Sequence, residues 1–316
     1  MGSALDNAAR LGVLAIPVIL GLVIARAGLI SDLGAAIGSL NVFSLYVGFP
    51  ALIAAGILDA DFALPDDVAF WLAVPLLDLI LVGCCWLAGR LFERQAGSMT
   101  LVCLFGNTAY LGIPFVVSVL GERSRGPAAL LVAIQVVIAV AIGPWLLVRW
   151  SGHRVAPVSL GSILRQPLLW APALGLGARL LPAGGRDAVS EAIGPLAASA
   201  APVAMFLLGL YLFQKRELLA RAERGVWAHV ALRLLVAPAV STALAVTLLR
   251  LDAIDHGTAG IVVIMGGVPA AITTFAMAQQ AGVAVDRVAG VVVRSSIVSL
   301  FTLPVIASIA EAVARS

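Results

Sequence analysis

Charge is scarce in this sequence: only 12% of its 316 residues are Asp, Glu, Lys or Arg, while 61% are hydrophobic and the mean hydropathy is +1.07. A soluble domain carries about twice that share of charge, so the composition excludes a soluble globular chain and calls for a polytopic membrane protein. Cysteine is nearly absent. Cys84, Cys85 and Cys103 all fall inside apolar runs and read as small buried residues, not as a disulfide framework. Three histidines (His153, His229 and His256) lie in loops or at span ends without metal-ligand spacing, so neither a metal nor another cofactor is expected. Deep in the apolar runs there is no Ser–His pair, no paired aspartates and no metal motif, which removes the intramembrane proteases and argues against an enzyme. No ATP-binding loop occurs, so any active pumping draws on an ion gradient or the membrane potential. Between Met1 and Arg10 there is no basic n-region, and Asp6 argues against myristoylation, so no cleaved leader or acyl anchor is expected. The net charge of +3 carries no sign of nucleic acid, because bases in such chains mark cytoplasmic loops.

What the sequence has in plenty is apolar run. Ten spans are expected, near residues 11–27, 36–58, 68–91, 99–120, 128–150, 168–181, 193–213, 226–249, 257–279 and 288–310. Each holds one interior proline: Pro17, Pro50, Pro75, Pro114 and Pro144, then Pro172, Pro202, Pro238, Pro269 and Pro304. Matched in order, the two sets are offset by 155, 152, 163, 155 and 160 residues. The chain therefore reads as two five-span repeats, residues 1–150 and 151–316. Five is odd, so the second repeat must lie inverted relative to the first, an arrangement typical of transporters. With the N-terminus outside, the inner loops hold eleven Lys and Arg and the outer segments seven. The Asp59–Asp67 loop carries four aspartates and no base. Both termini are thus expected outside a cell or inner membrane. The basic connector Gln214–Gly225 is expected to lie on the inner surface.

Inside the fourth span lies Gly106-Asn107-Thr108-Ala109-Tyr110-Leu111-Gly112-Ile113-Pro114. An amide, a hydroxyl, a phenol, two glycines and a proline are more than lipid spanning needs. Pro114 donates no backbone hydrogen bond and clashes one turn back, so the helix is expected to break or kink just before it. The ninth span repeats the pattern in Met265-Gly266-Gly267-Val268-Pro269, followed by Thr273 and Thr274. Two breaks meeting at the midplane would turn two half-helix N-termini, with their unsatisfied N–H groups, toward one point suited to an anion.

The segment Gly106 to Pro114, together with Pro269-Ala270-Ala271-Ile272-Thr273-Thr274-Phe275, resembles the auxin efflux carrier family. That family includes the plant PIN transporters and bacterial carriers described as malate or malonate permeases. The likeness extends over nearly the whole chain, through Pro50, Pro202 and Leu303-Pro304. The resemblance implies an all-α fold of ten transmembrane helices in two inverted repeats, with broken helices 4 and 9 crossing, as in the bile-acid symporters. It also implies a scaffold of spans 1, 2, 6 and 7, a transport domain of spans 3–5 and 8–10, an organic anion as substrate and an elevator-like movement. This chain departs from the larger plant members in lacking their long cytoplasmic loop, and its ninth-span break has no asparagine.

Candidate substrate-binding residues are Asn107, Thr108, Tyr110, Gly112 and Pro114 from the fourth span and Gly267, Pro269, Thr273 and Thr274 from the ninth. Gln135 stands nine residues before Pro144, as Ser295 stands before Pro304, and is a further candidate. An intramembrane charge is costly and functional by default. Asp78 reads either as a proton-coupling carboxylate or as the fixed partner of Arg233 or Arg294. Arg233 reads as a snorkelling residue, its head drawn to the inner face. Arg294 reads equally as a snorkelling residue or as an anion-attracting charge. Asn41 reads as interhelical glue. The leading function is secondary transport of a small carboxylate. A sodium-coupled symporter of the bile-acid type and a cation–proton antiporter are the alternatives, with coupling to protons or to sodium and a homodimer both left open.

Overall fold

The computed structural model describes residues 2–58, 68–92, 102–151, 167–220 and 224–315. The Asp59–Asp67 loop and most of the loop expected after the fifth span lie outside these residues, as do Arg94, Arg154, Arg165 and Arg221. In chain order the helices are α1 (Gly2–Arg26), α2 (Leu33–Phe43), α3 (Phe49–Leu58), α4 (Val68–Phe92), α5 (Ile113–Leu120), α6 (Arg125–Ser151) and α7 (Pro167–Arg179). They continue as α8 (Ala183–Gln214), α9 (Glu217–Ala220), α10 (Arg224–Ala231), α11 (Ala237–Arg250), α12 (His256–Gly267), α13 (Ile272–Ala281) and α14 (Val285–Arg315). Among the described residues there is no strand, only an isolated antiparallel bridge between Gly106 and Ala270. Five helical stretches are long and apolar enough to cross a membrane: Leu5–Arg26, Leu33–Leu58, Ala183–Gln214, Gly225–Arg250 and Val285–Arg315. The protein is a helical, multi-pass membrane protein.

Three of the interior prolines share one local answer. The π turns Ser44–Gly48, Thr108–Gly112 and Leu232–Val236 each end two residues before a proline, at Pro50, Pro114 and Pro238. In each, the residue just after the turn donates its N–H to the carbonyl five residues back, as Ile113 does to Thr108. A widened turn makes room for the proline ring and absorbs the bond that the ring cannot make. This corrects one expectation. Span 4 does not break just before Pro114; it passes that proline on a π turn and breaks at Phe105–Asn107 instead.

Helix ends are fixed by side chains the sequence supplies. Asp32 caps α2 by accepting from the amide of Ala35 at 2.9 Å. Asp255 caps α12, accepting from the amide and hydroxyl of Thr258 at 2.8 and 2.7 Å. Gly282, at φ +66°, closes α13 in the left-handed conformation that glycine adopts without strain. Small residues then let helices approach closely. A methyl added at Gly21 of α1 would stand 3.1 Å from Gly209 Cα of α8. One added at Gly175 of α7 would stand 3.1 Å from Ala54 Cα of α3. Helix α1 packs on α8 and α14, α3 on α6, α7 and α8, and α11 on α4 and α12.

Candidate functional site

The site grows from two interrupted helices. The turn at 102–104 stops at Phe105, and α12 stops at Gly267, where Val268 and Pro269 leave the helix extended. The two freed segments pair with each other. Asn107 N–H donates to Pro269 O at 2.7 Å, and Ala271 N–H donates to Phe105 O at 2.9 Å. These bonds exchange under a local two-fold axis through the Gly106–Ala270 pair. Buried amides and carbonyls that a break would orphan are thereby satisfied. Ser295 of α14 braces the crossing, its Oγ accepting from the amide of Ala270 at 3.2 Å.

Arg233, from the π turn before Pro238, is 1% exposed and lies against the crossing. Its Nε donates to Val268 O at 2.8 Å, Nη1 to Cys103 O at 3.0 Å and Nη2 to Met265 O at 3.3 Å. One guanidinium thus serves the C-terminal ends of both half-helices, where the helix dipoles leave partial negative charge. A side chain on Gly106 would collide with that guanidinium and with Val268, which is why a glycine stands there. The snorkelling expected of Arg233 is overturned: satisfied by three carbonyls, it has no need of the membrane surface.

The candidates from sequence divide around this crossing. Asn107 is 3% exposed, caps no amide with its side chain, and its Nδ2 has no hydrogen-bond partner among the described residues. Thr108 donates its hydroxyl to Gln135 Oε1 at 2.5 Å. A small cavity of about 20 Å³, the size of one water, is lined by Asp78, Thr108, Gln135 and Arg233. Neither carboxylate oxygen of Asp78 has a hydrogen-bond partner among the described residues. Gly112 and Gly267 are packing glycines, facing Met265 and Ile306 respectively. Pro269 carries the carbonyl that receives Asn107. Thr274 spends its hydroxyl on Ala271 O at 2.6 Å, whereas Thr273 is half-buried one position earlier. Pro114 is half-buried beyond the π turn. Tyr110 stacks flat on Phe49, ring centroids 4.1 Å apart, and so joins the π turn of span 4 to α3. Arg294 sits elsewhere, donating to Leu218 O in α9 at 2.6 Å and lying 5.7 Å from the Trp227 ring.

Behind the crossing opens a cavity of about 460 Å³ between α1, α8 and α14. Its walls are mainly aliphatic, Leu111, Pro269, Ser296 and Ser299 reach it from the crossing and α14, and Arg26 and Arg216 supply its charge. Such a volume admits a small organic molecule, and two cations with no acid in the lining favour an anion.

The sequence model of the membrane transport protein family matches residues 11–152 and 149–307. The chain belongs to the membrane transport protein family. Its likeness to the auxin efflux carriers, drawn from the motifs of spans 4 and 9, therefore holds. A protein of Rhizobium meliloti (strain 1021) named "Putative malonate transporter" is 25% identical over 303 residues, 90% of each chain. For this member of the family, Arg233 is the residue whose place sequence reasoning misjudged. Its signal was the need for a cation wherever two helices end together in the membrane.

Proposed function

We propose that the protein is a secondary transporter of a small carboxylate anion, with its site at the crossing of the broken helices in spans 4 and 9. The observation that carries the reading is the buried amide nitrogen of Asn107, without a hydrogen-bond partner among the described residues, beside two half-helix N-termini. A carboxylate that leaves water must regain donors, and an amide with backbone N–H groups binds it while still permitting release. Gly112, Gly267, Pro269 and Thr273 shape the site, Thr108 and Gln135 brace it, and Asp78 is the proton-coupling candidate. Malonate, the substrate in the relative's name, is the first compound to try.

The architecture we attach to this function has ten spans in two inverted repeats, 1–150 and 151–316. Spans 1, 2, 6 and 7 form the scaffold, and spans 3–5 and 8–10 form the part that moves as an elevator. Supporting it, Gly48 and Ala200 face each other closely enough that a methyl added at Gly48 would stand 3.2 Å from Ala200, and each lies two residues before its span's proline, Pro50 or Pro202. Equivalent residues that touch each other lie on a two-fold axis. Arg10 near the start of α1 donates to Val119 O at the end of α5 and to Glu311 at the end of α14, at 3.4 and 3.3 Å. Ten spans between the termini and four from the start of α1 to the end of span 4, both even numbers, would bring those three ends to one face. We place that face outside the cell membrane.

The test is binding and flux on the purified full chain. Malonate and a panel of mono- and dicarboxylates should raise the thermal-unfolding midpoint by mass action. Proteoliposomes should accumulate whichever acid does so. A chain that binds and moves no carboxylate is not this transporter.

A further inference from the structure

Broken helices expose carbonyl oxygens as well as amides. In transporters of broken-helix design, half-helix C-termini and unwound carbonyls are the groups that coordinate a coupled sodium ion. The equivalent oxygens here are those of Cys103, at the end of the first half of span 4, and of Met265 and Val268, at the end of α12. All three accept from one guanidinium, at 3.0, 3.3 and 2.8 Å. Resting on the transporter reading, we infer that Arg233 is a tethered cation standing where a sodium ion would stand, and that transport by this protein is independent of sodium.

Three features carry the inference. First, the chemistry matches: a guanidinium has five N–H donors and a fixed positive charge, so it answers several carbonyls at once and does not deprotonate. Second, the space is taken. The guanidinium lies so close to Gly106 that even a methyl there would overlap it, which leaves no room for an ion bound to the same oxygens. Third, the adjoining cavity of about 20 Å³ holds one carboxylate, Asp78, and Arg233 lines the same cavity. A cation entering beside Asp78 would meet a positive charge already in place, without a second acid to offset it. A bound sodium ion assembles a crossing only while it is there; a side chain assembles it permanently. The anion site then forms without a second ligand, and the energy for accumulation must come from another source.

Two readouts test this, one of which needs no transport. For the wild-type full chain in detergent, replacing choline by sodium at constant ionic strength should leave the unfolding midpoint unchanged. Malonate uptake into proteoliposomes should change by less than about twofold, a fraction of the tenfold that 1.4 kcal/mol represents. Arg233→Gln should lower the midpoint, and millimolar guanidinium or sodium should restore part of it, because the carbonyls regain a cation. Arg233→Lys, which keeps a charge and guards against a Gln variant that fails to fold, should keep the sodium-independent behaviour. Sodium raising the wild-type midpoint or stimulating wild-type uptake about tenfold or more would overturn the inference. So would a Gln variant as stable as wild type in choline. Loss of all carboxylate uptake by the wild type, with the midpoints behaving as stated, would instead sink the transport reading and leave the tethered cation standing.

Discussion

Replacing Asn107 by alanine should lower substrate affinity while leaving the empty protein as stable as before, or more so. Asn107 is 3% exposed and its Nδ2 meets no acceptor among the described residues. An unmet buried donor costs roughly 1–3 kcal/mol, so its removal relieves the unliganded fold. Little else is lost. The side chain caps no amide, and the backbone, at φ −73° and ψ 52°, lies near a conformation open to alanine. The 2.7 Å bond to Pro269 uses the main-chain N–H, which alanine keeps. On the liganded side, a donor to a charged carboxylate is worth roughly 1.5–3 kcal/mol, about ten- to a hundredfold in affinity. The assay is a ligand titration followed by thermal shift on the purified chain, with uptake measured alongside. The expected pair of results is a midpoint held or raised without ligand and a binding curve displaced by one to two decades. A variant that binds as wild type does would place the anion elsewhere. One that unfolds more easily, with affinity intact, would make Asn107 a structural joint between the half-helices.

Two further expectations are independent of that one. Asp78→Asn should still bind substrate but lose the pH dependence of transport; Arg233 is the other charged group lining its cavity, and a pH profile unchanged in the variant would make Asp78 structural. Cysteines placed at Leu29 and Leu180, which are 74% and 88% exposed, should react with impermeant reagents from opposite sides in a cysteine-free background, Leu180 from outside. Labelling of both from one side would end the inverted-repeat reading.

Hydropathy made the helical membrane character and the five longest apolar helices legible, because crossing lipid demands long apolar runs whatever the partners. The existence of two interrupted helices was legible too, from glycine, proline and amide at membrane depth. The place of the first interruption was not. A proline announces a missing hydrogen bond but does not say whether the helix breaks or widens, and at Pro114 it widens. The true break at Phe105–Asn107 depends on Pro269 and Ala271, more than 160 residues away, to satisfy its main-chain groups. Arg233 was misjudged for a related reason. Distance from a span end suggests snorkelling, but the three carbonyls that hold it come from other helices.

On the inverted-repeat reading proposed above, the same crossing also revises how the two halves would correspond. Matching Pro114 to Pro269 sets the fourth and ninth spans 155 residues apart, below the 163 and 160 of their neighbours. The two-fold bonding of Gly106 with Ala270 sets them 164 apart, which fits the series better. In that register Ala271 answers Asn107, and with the neighbouring offsets Ser241 answers Asp78, Ser295 answers Gln135 and Phe70 answers Arg233. At the crossing the main-chain bonds exchange under a local two-fold axis, but the side chains so matched differ. Carboxylate and both amides come from the first half, the guanidinium from the second. A symmetric pair of half-helices thus offers an asymmetric set of donors, so on the proposed reading an anion bound at the axis would be gripped mainly by span 4. Installing asparagine at Ala271 would restore the missing twin. It should bind a dicarboxylate more tightly than a monocarboxylate if both half-helix N-termini face one ligand, and equal affinity changes for the two acids would show that they do not.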